Sequence, residues 1–217
     1  MRVYKFGGAS VKDAEGVRNV AKVLNTTGYD NTLVVVSAMG KTTNALELVV
    51  KNYFDNKSEL QSAIHDVIKY HNEILLELFD NDRHNVFNIV KSLFEDLTLF
   101  FKNNKSPDYN FVYDQTIGFG ELVSTTIISH YLNEIGLKNQ WIDVREYIKT
   151  DNYYRRANVN WETTQANITS KFDAKKLNIT QGFLGSDANN FTTTLGREGS
   201  DYSAAIFAYC LNANSVT

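Results

Sequence analysis

The sequence predicts an α/β protein: a three-layer α/β/α sandwich with a mostly parallel sheet, carrying a helical hairpin insertion and incomplete at its C-terminal end. Three observations lead there. Short apolar runs at residues 3–6, 32–37, 140–144 and 177–182 alternate with helical patterns, as strands joined by crossover helices require. The run 32–37, Thr-Leu-Val-Val-Val-Ser, lacks polar alternation, the mark of a strand covered on both faces. Residues 58–103 keep helical periodicity with no strand signal.

In chain order, residues 3–6 read as the first strand and Gly7 to Ser10 as the turn after it. Ser10, with Asp13 three residues on, is a capping-box signal for a helix reaching about residue 25. The second strand ends in a loop at residues 38–42, and a helix begins near Thr43. Leu60, Ile64, Val67, Ile74 and Leu78, then Val86, Val90, Phe94, Leu97 and Phe101, recur at helical spacing on either side of Asn81-Asp82, so an antiparallel helical hairpin is expected at about 58–104. Ser106-Pro107-Asp108 punctuates its end. A helix is expected from about Gly120 to Glu134, a strand at 140–144, a modest helix at 161–172 and a strand at 177–182. A long Gly/Asn/Thr-rich loop should fill 183–199, ahead of a last helix at about 200–211 with a small-residue face of Ala204, Ala205 and Ala208. Ser215-Val216-Thr217 reads as a strand just begun, and the expectation is the N-terminal part of a longer protein.

Composition bounds the function classes. With 217 residues, 43% hydrophobic, 12% aromatic and 22% charged, the chain can bury a core and is not a disordered tail. A net charge of −3 is not built around a nucleic-acid backbone. A single cysteine, Cys210, allows neither an internal disulfide nor a cysteine metal cluster and reads as an inert core thiol. No apolar leader and no membrane-length run is visible, so a cytoplasmic location is expected.

Some apparent motifs fail on spacing. Gly40-Lys41-Thr42 resembles the tail of a phosphate loop, but the glycine needed five residues earlier is Val35, inside the strand. Gly118-Phe119-Gly120 opens a dinucleotide fingerprint whose third glycine is Val123. His65, His71, His84 and His130 lack metal-ligand spacing and read as a solvated helix face.

Four motifs carry chemistry. In Lys5-Phe6-Gly7-Gly8-Ala9-Ser10-Val11, a strand delivers a lysine to the carboxyl edge of the sheet, where paired glycines and a helix start make an anion nest; an ordinary tight turn is the bland alternative. In Thr192-Thr193-Thr194-Leu195-Gly196-Arg197-Glu198-Gly199-Ser200-Asp201, Arg197 can clamp a carboxylate, while Ser200 and Asp201 could cap a helix, or Asp201 could instead hold a cation or position a lysine. Glu121 in Gly120-Glu121-Leu122-Val123-Ser124 is either a helix-dipole partner or an ammonium ligand. Ser37, Thr42, Thr43 and Asn44 follow the second strand in a loop dense in hydroxyls, suited to a phosphate or carboxylate or to plain capping by Thr43.

These motifs, with the Gly182-Phe183-Leu184-Gly185 turn, resemble the amino-acid kinase superfamily and within it the aspartate kinases, in register along the whole chain. Glu198 stands where that family has glycine. The resemblance implies the amino-acid kinase fold and ATP-dependent phosphorylation of the L-aspartate side-chain carboxylate to 4-phospho-L-aspartate, toward lysine, threonine and methionine, with Mg²⁺ accompanying ATP. By position, Lys5 and Asp201 would be catalytic, with Asp201 also a candidate for Mg²⁺. Gly7, Gly8, Ser10, Ser37 and Ser200 would serve the phosphates, and Thr43, Glu121, Phe183 and Arg197 would hold aspartate. The implied partners are L-aspartate and ATP, not nucleic acid or membrane; a homodimer stays open. The nucleotide-base half of the fold and the regulatory domains are expected outside this chain, so that alone it would be weakly active or inactive. Acetylglutamate- or glutamate-kinase-type activity, or a non-catalytic binding or assembly role, stand as alternatives.

Overall fold

In a computed structural model of the chain, residues 1–80 and 82–217 are described. Five parallel strands form the central sheet in the order β3-β4-β2-β1-β7. They are β1 (Arg2–Phe6), β2 (Thr32–Val36), β3 (Asn139–Ile142), β4 (Leu177–Gln181) and β7 (Ser215–Val216). Every residue of β2 is buried, yet its side chains divide by the strand's two-residue period. Val34 and Val36 join Tyr4 in a core formed with α1 (Ala14–Thr27), α2 (Thr42–Asp55), α3 (Leu60–Leu78), α4 (Asn85–Asn103) and α5 (Tyr109–Glu134). Leu33 and Val35 join Val3 in a second core under α6 (Trp161–Lys171) and α7 (Gly199–Cys210). The sheet therefore has a helical layer on each face, the sandwich the sequence predicts.

Local chemistry explains most boundaries, and several differ from the sequence reading. Asp13, rather than Ser10, caps α1, accepting from the Gly16 N–H at 2.8 Å. Thr43 does not cap α2; the helix begins at Thr42, whose hydroxyl donates to the Met39 carbonyl at 2.6 Å. Of the hairpin, α3 packs on α2 and α4 on α5 more than either packs on the other, and Asn81 between them lies outside the described residues. α5 starts eleven residues before the expected Gly120, capped by Asp108, which accepts from the Asn110 N–H at 2.8 Å. It is buried on nearly all sides, so no polar stripe marks its period.

The expected loop at 183–199 contains an antiparallel pair, β5 (Leu184–Ser186) with β6 (Thr192–Thr194), too short to show in a periodicity. Ala205 on α7 is exposed, so the small-residue face is narrower than expected. Cys210 is buried in the second core. Of the histidines, His71 is no part of a solvated face. It is fully buried, with Nδ1 2.8 Å from the Val67 carbonyl and Nε2 3.4 Å from the Thr42 hydroxyl, and burial lowers it to about 4. Among the described residues no cluster could hold a metal ion, and no helix is long and apolar enough to cross a membrane.

Candidate active site

A pocket of about 420 Å³ opens at the carboxyl edge of the sheet, where β1, β2 and β4 end. The structure brings eight of the sequence-derived candidates to its wall: Lys5 from β1; Ser37 and Thr43 beyond β2; Glu121 from α5; Phe183 beyond β4; and Arg197, Ser200 and Asp201 around the start of α7. Lys5 Nζ donates to Asp201 Oδ2 at 3.1 Å, linking the sheet edge to the first turn of α7. Gly182 permits that approach, since a Cβ there would lie 2.5 Å from the Cβ of Ser200.

Gly7, Gly8 and Ser10 do not line this wall. Gly8 is instead required by a close backbone crossing. Its carbonyl accepts from the Gly40 N–H at 3.0 Å, and a Cβ would sit 2.6 Å from the Ala38 carbonyl oxygen. Ser10 is exposed, and its N–H closes a turn on the Gly7 carbonyl at 2.9 Å.

Glu121 is neither a helix-dipole partner nor near a helix start. It lies mid-way along α5, 2% exposed. One carboxylate oxygen accepts from the Ala38 N–H at 3.2 Å, while the other is buried without a partner in the protein. Burial, only partly offset by that N–H, pushes its carboxyl up to about 8. An unmatched acceptor on a pocket wall is the feature an ammonium group would satisfy. Ser124, one turn on, donates to the Ser37 carbonyl at 2.8 Å and ties α5 to the end of β2, which accounts for the Gly-Glu-x-x-Ser spacing.

Arg197 is almost wholly exposed, with Nε 3.7 Å from Glu198 Oε1. Glu198 precedes α7 in the left-handed conformation (φ 58°, ψ 21°), which gives a physical reason for glycine at this place. Neither Ser200 nor Asp201 caps α7; the cap position is Glu198, without a side-chain bond.

Two further pocket residues escaped the sequence reading, Tyr113 and Arg155. Tyr113 is eight residues before Glu121, a spacing informative only once α5 is known to start at Tyr109. Its hydroxyl donates to Glu47 Oε1 at 2.8 Å, and burial pushes its pKa up, so it stays protonated. Arg155 is also left-handed (φ 71°), and its N–H donates to both oxygens of Asp114 at 3.1 and 2.9 Å. Asp114 is fully buried, accepts from the Thr194 N–H and hydroxyl at 2.8 Å each, and is raised by burial to about 6 against those bonds. No signal in Asp-Asn-Tyr-Tyr-Arg-Arg marks Arg155, because its anchor lies 41 residues away.

Backbone strain converges on the same place. The described non-glycine residues with positive φ are Asn31, Asn190, Asn212, Arg155, Phe183 and Glu198. Asparagine tolerates this region; the other three residues do not, and all three line the pocket.

A parallel sandwich with a crevice at the carboxyl ends of its strands, walled by a lysine, arginines and a buried glutamate, defines the class of open α/β proteins. The chain belongs to the amino acid kinase family, whose model matches residues 1–217. Among curated proteins it is 31% identical to the lysine-sensitive aspartokinase 3 of Escherichia coli, covering 99% of this chain and 47% of that protein. It is 29% identical to the chloroplastic bifunctional aspartokinase/homoserine dehydrogenase 2 of Arabidopsis thaliana, covering 99% and 24%. Among solved structures, E. coli aspartokinase III in complex with aspartate and ADP superposes with a TM-score of 0.89 at 29% identity, over 100% of this chain and 48% of that one. The chain thus spans between a quarter and a half of these relatives.

Proposed function

We propose that the chain is the acceptor- and phosphate-binding portion of an aspartate kinase, which transfers the γ-phosphoryl group of ATP to the side-chain carboxylate of L-aspartate. The product would be 4-phospho-L-aspartate, feeding lysine, threonine and methionine synthesis. The observation that carries this reading is the Lys5–Asp201 pair sharing one pocket with a buried, half-unpartnered Glu121 and with Arg197. A group that bears an ammonium and carboxylates suits those charges, and phosphoryl transfer needs positioning and charge neutralisation more than covalent help from the protein.

In this reading Glu121 takes the substrate ammonium and Arg197 the carboxylate that is not phosphorylated. Phe183 and Thr43 shape the space between them, while Ser37 and Ser200 face the phosphates. The remaining carboxylate oxygen attacks the γ-phosphorus while the bond to the ADP oxygen breaks, and Lys5, held by Asp201, neutralises charge on the moving group. Gly7, Gly8 and Ser10 act behind the wall, setting the turn that aims Lys5. Asp201, the exposed carboxylate beside Lys5, suits Mg²⁺ arriving with ATP, and that ion would neutralise charge on the phosphates.

The chain alone is expected to bind L-aspartate but to turn over slowly or not at all, since it spans only about half of E. coli aspartokinase 3. Calorimetric titration should show L-aspartate binding and N-acetyl-L-aspartate, which lacks the ammonium, failing to bind. Equal affinity for the two would refute the acceptor assignment. Robust ADP release in a coupled assay would refute the half-site part of the proposal.

A further inference from the structure

The pocket's charged groups do not all pair with one another. Lys5 is matched by Asp201 and Arg197 by Glu198. Two are left over: Glu121, with one buried oxygen unpartnered, and Arg155, whose guanidinium has no carboxylate within ion-pairing distance among the described residues.

The setting of Arg155 is specific. Its backbone stays left-handed because a buried carboxylate, Asp114, accepts its N–H, and the same carboxylate is fixed by Thr194 of β6. Its guanidinium lies over the rings of Tyr113 and Tyr109, 4.5 and 5.8 Å from their centres. Arg155 is exposed; the rings cover one face of the cation and leave its in-plane N–H donors uncommitted, and those donors form a fork that matches a carboxylate.

We propose that Arg155 is a second carboxylate anchor for the acceptor substrate, working with Arg197 and opposite Glu121, so that the ligand is held as a zwitterionic amino acid. This rests on the aspartate-kinase reading and adds a specificity residue to it. Arg155 and Glu121 line one pocket of about 420 Å³ together with Arg197, so a ligand seated there meets cations and a carboxylate from the same wall.

The test is Arg155→Gly. Glycine adopts this φ without strain, so the backbone and its bonds to Asp114 survive while the guanidinium goes. Its melting temperature should not fall, whereas the dissociation constant for L-aspartate should rise about ten- to hundredfold. Arg155→Lys, with a charge but no fork, should fall between. In the wild type the Arg155 side-chain N–H resonances should shift and gain protection from exchange on adding L-aspartate, and a merely structural arginine would show neither change. If wild type binds L-aspartate, Glu121→Gln abolishes that binding and Arg155→Gly does not weaken it, Arg155 is no anchor and the aspartate reading survives. If wild type ignores L-aspartate but binds another amino acid through Arg155, the anchor stands and the aspartate reading falls. Binding of no amino acid rejects both.

Discussion

Replacing Glu121 by glutamine should change how stability depends on pH, by an amount the structure sets. The folded carboxyl is raised by burial from 4.5 to about 8. Below about pH 4.5 folded and unfolded chains both hold the proton, and the group makes no difference. From there to about pH 8 the unfolded chain has released the proton while the folded chain keeps it, so stability falls as pH rises; above about pH 8 the loss is complete. Each pH unit inside the window is worth about 1.4 kcal/mol, so wild type should lose roughly 3 kcal/mol relative to Glu121→Gln between about pH 5.5 and about pH 7.5. Asp114 and His71 also titrate with perturbed values but are common to both proteins and cancel in the difference. Urea denaturation of both chains at the two pH values measures it. Parallel changes would show that Glu121 ionises normally and would remove the case for a desolvated carboxylate awaiting an ammonium. The same group gives a second readout. If a substrate ammonium displaces the proton, calorimetry near neutral pH in buffers of different ionisation heat should record close to one proton released per ligand bound.

Asp114→Asn should cost about 2–4 kcal/mol, because an amide cannot accept from the Arg155 N–H and from both Thr194 donors; hydrogen exchange should speed up at the amides of Arg155 and Thr194, and unchanged exchange would refute the anchor role. Phe207→Ala empties a fully buried site beneath α7 and should cost about 3–5 kcal/mol in denaturant unfolding. Glu198→Gly should raise stability by up to about 1 kcal/mol by relieving a left-handed glutamate, and a lower melting temperature would count against that strain.

Much of this architecture was legible because it rests on local pattern. The continuous apolar run of β2, the lysine ending β1 and the periodic faces of α3 and α4 each follow from which side chains must leave water. Where the pattern vanished, so did the reading. α5 is buried on almost every side, and Gly118 and Gly120 look like breakers although they are packing contacts, against the Thr192 methyl and the Ala38 side chain, each 3.0 Å from where a Cβ would sit. Gly120 therefore suggests a helix start at Glu121, although Glu121 lies in the middle of α5. The partner of its bonded oxygen, the Ala38 N–H, is 83 residues away and could not be read from neighbours in the chain.

The three left-handed, non-asparagine residues show why strain and chemistry have to be judged together. Each costs on the order of 1 kcal/mol or more, against a typical domain stability of about 5–15 kcal/mol, so several in one pocket persist only where partners over-determine them. Asp114 does this for Arg155. Ser203, whose hydroxyl oxygen accepts the Phe183 N–H at 2.9 Å, does it for Phe183, and the start of α7 does it for Glu198. Glycine at either charged position relieves the same kind of strain, yet the effects on ligand affinity should oppose. At 155 it removes an unmatched cation facing the pocket and weakens binding of an acidic amino acid. At 198 it removes the carboxylate 3.7 Å from Arg197 Nε and frees that arginine for the ligand. Arg155 is exposed as the Arg197–Glu198 pair is, so both effects should shrink as salt rises, while their opposite signs should remain. Equal and opposite stability and affinity changes at both sites would mean that strain alone governs the pocket; a split, with both variants more stable and only one binding less well, requires that the two side chains act on the ligand through their charge.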